Sequence, residues 1–379
     1  MVFLRILTYF YCVALLCLVA GCAPKAAPVW RYFWPPPPDE PKIEYLGPYA
    51  SDSDLRRGHE SWIEDVIVGY GAPTPLFSQP HDVVSDGTGR VLVADVGLRR
   101  VVVLDLKTRK VRYLLGDAAR DWLMYRTPFS LALDGRGGVY VSDMSQGMVF
   151  YFDKDEKIRF AFGKGELERI TGMVVDPVRN RIYLVDAPRS VIAIYSLAGE
   201  KIDEWGKRGA GAGEFNFPLD VDLDEEGNVY VLDALNFRVQ VFSPQGAFLR
   251  QFGRIGRQIG GFQLPKGLAV DTSGHVYVTD SRSHRMLIFD LEGQLLQVIG
   301  GYGVLTSEGV SPGAFNMPSG IDADQHDGIW VTDTLNRSIQ RYQFLNEQFL
   351  SEHPVLDEEK YAPSGDDYYI PGPDLEQIR

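Results

Sequence analysis

The chain has 379 residues and a net charge of −13, from 38 Lys and Arg against 51 Asp and Glu. That acidic balance argues against a nucleic-acid partner, and a 45% hydrophobic content can supply a large buried core. Cys12, Cys17 and Cys22 are the only cysteines, too few and too clustered for a disulfide scaffold.

Residues 1–21 read as a secretory signal, with Arg5 followed by an apolar run that ends in Leu18-Val19-Ala20-Gly21. The segment closing on Cys22 is similar to a bacterial lipobox, which implies cleavage before Cys22, its lipidation and anchoring at the cell envelope. Ala23 in place of Asp favours the outer over the inner membrane. Residues 22–58 read as a tether, in which Pro35–Pro38 form a stiff spacer beside Trp30, Tyr32, Phe33 and Trp34.

From residue 59 to 350 the pattern changes to short alternating strands. Leu219–Leu223, Asn228–Leu232, Arg238–Phe242 and Ala247–Phe252 are four strands separated by turn signals, an antiparallel meander. The Asp closing the second strand recurs at Asp95, Asp143, Asp186, Asp233, Asp280 and Asp333, at intervals of 48, 43, 47, 47 and 53 residues. Five units begin on a proline, and the first five end on a glycine. One meander cannot bury its own faces, so the repetition predicts an all-β, six-bladed β-propeller of four-stranded blades. Trp62–Val68 or Glu347–Leu350 is expected to supply the strand that closes the ring. Residues 351–379 are acidic and rich in Pro and Tyr, the composition of a disordered tail.

The units resemble the NHL repeat. Pro265–Asp271 (PKGLAVD), Gly274–Asp280 (GHVYVTD) and His284–Asp290 (HRMLIFD) carry the resemblance most fully. The second and third units depart from it at Met144–Gly147 and Ala187–Ser190, which lack the Asn/Arg element. The resemblance implies the propeller and leaves function open, because NHL propellers serve adhesion, sensing, RNA binding and catalysis.

In such a ring the loops between blades and the second-to-third turns share one end; the other turns share the opposite end. The first end is predicted to be rich in cations. Its candidates for recognising a protein, peptide or anionic glycan are Arg126, Arg169, Arg208, Arg254, Arg257, Lys266 and Arg282. The opposite end reads as acidic, through Asp153, Asp155, Asp222, Asp224 and Asp322. Arg100, Arg238 and Arg285 follow the recurrent Asp by five residues and are placed to pair with it. An Asp repeated in every blade is a turn cap rather than a catalyst.

His81, Asp82 and Asp220 form the one polar cluster predicted for the central channel. No ring of histidines is present, and the rhythm Asp222-x-Asp224-x-Glu226 has Leu232 where a calcium loop needs a bidentate Glu. No metal or cofactor is therefore expected. The favoured reading is a non-catalytic, monomeric, lipid-anchored binding propeller. The alternative is a lyase or lactonase acting at the channel mouth through His81, Asp82 and Asp220.

Overall fold

The computed structural model describes residues 31–36, 39–56, 72–115, 126–306 and 311–355. Six antiparallel sheets stand in a ring, and their first strands touch in cyclic order, the sixth against the first. These inner strands are Pro80–Ser85, Pro128–Leu133, Ile170–Asp176, Asp220–Leu223, Pro265–Val270 and Pro318–Ala323, which number the blades 1 to 6. Blade 4 continues through Val229–Asp233, Arg238–Phe242 and Phe248–Phe252, each within a residue of the sequence expectation.

The second strands carry the core. Val91–Ala94, Val139–Val141, Ile182–Val185, Val229–Leu232 and Val276–Val278 are almost completely buried, because sheets of adjacent blades cover both of their faces. In blades 5 and 6 the large aromatic residue of the second strand is also tied by its polar atom. Tyr277 Oη donates to Asp271 at 2.7 Å and Trp330 Nε1 to Asp324 at 3.2 Å, which joins the core to the first-to-second turn.

Three of the loops between blades, those entering blades 4, 5 and 6, are each wedged by one phenylalanine. Phe215, Phe262 and Phe315 are buried between neighbouring blades, next to Gly206, Gly253 and Gly300. A Cβ at Gly253 would lie 2.5 Å from the Phe262 ring, and its φ of +96° is itself a glycine conformation. The glycines that end units 3 to 5 therefore make room for the phenylalanine of the next, and Gly163 does the same for Leu167.

Ring closure differs from expectation. The fourth strand of blade 6 is Ile43–Tyr49, paired with Ser338–Phe344, and Tyr32–Trp34 adds a fifth. Part of the segment read as a tether is thus built into the propeller. Trp34, Tyr45 and Tyr342 pack at ring separations of 5.1 to 6.5 Å, an apolar gain that a solvated spacer would forgo. Pro48 is tolerated because Tyr32–Trp34 reaches only to Tyr45 and leaves the outer side of the strand bare beyond it. Glu347–Glu352, expected in part as a strand, is a short α-helix capped by Asn346, whose side chain accepts from Phe349 N. Trp62–Val68, the signal segment with Cys22, and residues 356–379 lie outside the described residues. No helix among the described residues is long and apolar enough to cross a membrane.

Candidate functional site: the axial channel and the loop end

The six recurrent aspartates are fully buried and act as turn caps. Asp95 accepts from Ser78 N at 2.7 Å and Leu98 N at 2.7 Å, joining an inter-blade loop to the second-to-third turn. Asp233 accepts from Asn216 N at 2.7 Å, Asn236 Nδ2 at 2.8 Å and Arg238 Nε at 2.8 Å. In blade 2 Ser145 and Gln146 supply the contacts that the missing Asn/Arg element would make to Asp143. Of the three arginines placed to pair with this Asp, only Arg238 does so among the described residues. Arg100 lies over the Tyr113 ring instead, at 4.3 Å.

The channel holds a cavity of about 200 Å³, bounded by Asp82, Asp220, Asp222, Asp322 and Asp324 among apolar side chains such as Met173, Leu268 and Ile321. Four of these carboxylates clip one blade to the next. Asp82 accepts from Leu131 N (2.8 Å), Asp220 from Leu268 N (2.8 Å), Asp222 from Val270 N (2.7 Å) and Asp322 from Ser85 N (2.7 Å). The other oxygens of Asp82, Asp220 and Asp222 accept from the following main-chain N–H. Burial pushes Asp82 up to about 6 and Asp222 up to about 7. Asp220 and Asp322 are raised well above the usual carboxylate range, again by burial, with the charge of Asp82 adding to both.

Glycine decides where a clip fits. A Cβ at Gly172 would meet Asp220 Oδ1 at 2.4 Å, and one at Gly320 would meet Asp82 Oδ1 at 2.7 Å. Asp82 and Asp220 occupy the same repeat position as Gly172, Gly267 and Gly320, so Asp in one blade needs Gly in the blade before it.

The predicted channel cluster is thus brought together only in part. Asp82 and Asp220 share the cavity; His81 lies beyond it, towards the inter-blade loops, with its ring 3.6 Å from that of Phe129. Burial and the nearby Lys266 charge push His81 down to about 3, so it is neutral, and its Nδ1 makes no hydrogen bond. Lys266, expected among the recognition residues, is half-buried in the channel, and burial lowers its pKa. Sequence reasoning missed Asp222 and Asp322 as channel residues and placed both on the acidic face. The signal was the match of Val221-Asp222-Leu223-Asp224 with Ile321-Asp322-Ala323-Asp324 at one repeat position. Among the described residues no group of three or more His, Cys, Asp or Glu is arranged to hold a metal ion.

At the loop end Arg126, Arg169, Arg208, Arg254, Arg257 and Arg282 are exposed, and none makes an ion pair among the described residues. The opposite end is less purely acidic than expected, because it also carries Arg90, Arg112, Lys154, Arg159 and Arg179. Those cations are engaged: Arg90 and Arg112 bind Glu156, Lys154 binds Asp155, Arg159 binds Asp153 and Arg179 binds Asp176. Lys107, Arg109, Lys110, Arg136 and Lys157 at this opposite end are exposed without an ion pair among the described residues, so the ends differ by the run of arginines on the loops rather than by pairing alone.

The NHL repeat family matches residues 215–242 and 262–289 in sequence. No curated protein matches the sequence. Among solved structures, a Bacteroides thetaiotaomicron protein of unknown function is 17% identical with a TM-score of 0.56, over 71% of this chain and 70% of that one. A catalytically inactive virginiamycin B lyase from Staphylococcus aureus, solved with quinupristin, is 12% identical with a TM-score of 0.52, over 71% and 96%. An auxiliary nutrient binding protein from B. thetaiotaomicron is 11% identical with a TM-score of 0.53, over 72% and 70%. At these identities the likeness is one of fold, and together with the sequence match it identifies the chain as a six-bladed β-propeller with NHL repeats at residues 215–242 and 262–289.

Proposed function

We propose that this propeller is a non-catalytic binding module of the bacterial cell envelope, tethered through a lipidated Cys22. Its loop end recognises a protein, peptide or anionic glycan. One observation carries the reading: six exposed arginines stand on the loops of that end with no ion-pair partner among the described residues. An unpaired guanidinium keeps its planar fork free for carboxylate, sulfate or phosphate groups.

The second reading is a lyase or lactonase in the channel, favoured by the neutral, unengaged Nδ1 of His81 beside Lys266. Against it, Asp82 and Asp220 use both oxygens on main-chain N–H groups and have little capacity left for proton transfer.

Cross-linking in native membranes tests the binding reading with three forms of the protein: wild type, Arg254→Glu/Arg257→Glu, and Lys154→Glu at the opposite end. Wild type and the Lys154 variant are expected to capture a common partner that the double variant loses. Identical capture by all three would remove the loop end from consideration.

A further inference from the structure

The loop end is not uniformly polar. Among the described residues twelve large apolar side chains are exposed, and six of them cluster on the loops of blades 4 to 6. They are Leu235, Ile255, Ile259, Tyr302, Val304 and Leu335; among the described residues, Leu98 stands at the same end of blades 1 to 3. Ile255, Tyr302 and Leu335 are 65%, 66% and 59% exposed, beyond what packing of their own loops requires.

These loops hold their shape without the apolar tips. Phe262 and Phe315 anchor them from below, and Ile255 and Tyr302 form backbone bridges to those phenylalanines. Asn236 and Asn336 each bind a carbonyl of the loop, at Gly209 and Gly303, both at 2.9 Å. The Tyr302 ring packs edge-on to His284 at 5.1 Å and otherwise faces outward. A rigid backbone that presents aliphatic and aromatic tips has already met much of the ordering cost of association.

Unpaired guanidinium groups alternate with the tips in sequence: Arg254-Ile255 and Arg257-Gln258-Ile259 in one loop, Leu335-Asn336-Arg337 in a turn. Arg208 and Arg282 stand on neighbouring loops. Two chemistries are offered together, carboxylate recognition and apolar burial. An anionic glycan answers the first but has nothing aliphatic for Ile255, Ile259, Val304 and Leu335. A polypeptide that carries both acidic and apolar side chains answers both.

We infer that the loops of blades 4 to 6 form a docking surface for an acidic polypeptide segment bearing aromatic or aliphatic side chains. This deepens the binding reading above and rests on it. The arginines set the charge preference and the rate of encounter, and the apolar tips set how long the segment stays.

The test uses the full-length chain with Cys22→Ser, so that acylation does not drive it into lipid. Four immobilised probes are compared: a random copolymer of Glu and Tyr, poly-Glu, a sulfated glycan, and vesicles of phosphatidylglycerol. The Glu–Tyr copolymer is expected to bind most tightly, about tenfold tighter than poly-Glu. Ile255→Ser/Leu335→Ser, both at exposed positions, is expected to remove that margin while leaving poly-Glu binding unchanged. Arg254→Glu/Arg257→Glu is expected to weaken both polypeptides. Equal binding of the two polypeptides, insensitive to the serine substitutions, overturns the inference and leaves the arginine-rich end as an anion site. Tighter binding to the glycan or to the vesicles also overturns it, in favour of that class of partner. Binding to none of the four overturns the loop-end reading itself. Each variant is checked by its thermal midpoint, so that a failed fold is not read as a failed contact.

Discussion

At the scale of single residues, the repeated Asp illustrates how burial and bonding outweigh charge. Asp233 is inaccessible to solvent, yet Asn216 N, Asn236, Arg238 and Gln240 all donate to it, which compensates its lost hydration. Arg238 is nearly as deeply buried and also donates to the carbonyls of Ala210, Gly211 and Glu214. Removing one partner of a buried pair strands the other, so Asp233→Ala is expected to destabilise the propeller by about 3–5 kcal/mol in chemical denaturation. Asp→Asn at the same place keeps part of the acceptor capacity and is expected to cost less. Equal and small losses for both would mean that the cap contributes to geometry rather than to stability.

At the scale of elements, the strand that closes the ring is the instructive case. The blades themselves were legible in the chain because each has its own alternating strands, its turns and its Asp, repeated often enough to override any one ambiguous stretch. Ile43–Tyr49 had no such support: its partner residues, Phe344 for Ile43 and Ile339 for Tyr49, lie 301 and 290 positions away, and the run Pro35–Pro38 precedes it. Glu44 is also buried, so the alternation that marks a half-exposed strand is missing. The channel was half legible for a related reason. Asp82 and Asp220 stood out one blade at a time, but their function as clips depends on the N–H of the next blade and the glycine of the blade before. Because Trp34 is buried against Tyr45 and Tyr342 and close to Gly313, Trp34→Ala is expected to lower stability by about 3–5 kcal/mol. An unchanged denaturation midpoint would show that the two N-terminal strands are decoration on a ring already closed by its blades.

At the scale of the whole molecule, four carboxylates face one another around the axis, and their raised pKa values make the ring's stability depend on pH. Asp222, Asp82, Asp220 and Asp322 are all displaced upward by burial, and all but Asp82 also by neighbouring carboxylates. Lys266, and His81, which is neutral, lie beyond the cavity and leave this charge uncompensated. A carboxyl raised in the folded state favours folding while protonated, and that contribution is lost as pH rises through the folded pKa. For Asp222, at about 7, the loss falls between the unfolded value near 3.8 and neutrality. Asp143 and Asp327 are lowered, net of burial, by hydrogen bonds, and act in the opposite sense, losing stability only when pH falls towards their folded values. The thermal midpoint is therefore expected to rise on acidification from pH 8 to pH 5 and to fall again below pH 4. Asp222→Asn removes one of the repelling charges and keeps an acceptor for Leu223 N or Val270 N. It is expected to raise the midpoint at pH 8 by about 2–4 °C, the effect of ~1 kcal/mol in a large domain, and to change little at pH 5. A substitution that lowers the midpoint equally at both pH values would mean that Asp222 holds blades 4 and 5 together as a charged clip, with the two hydrogen bonds outweighing the cost of its burial.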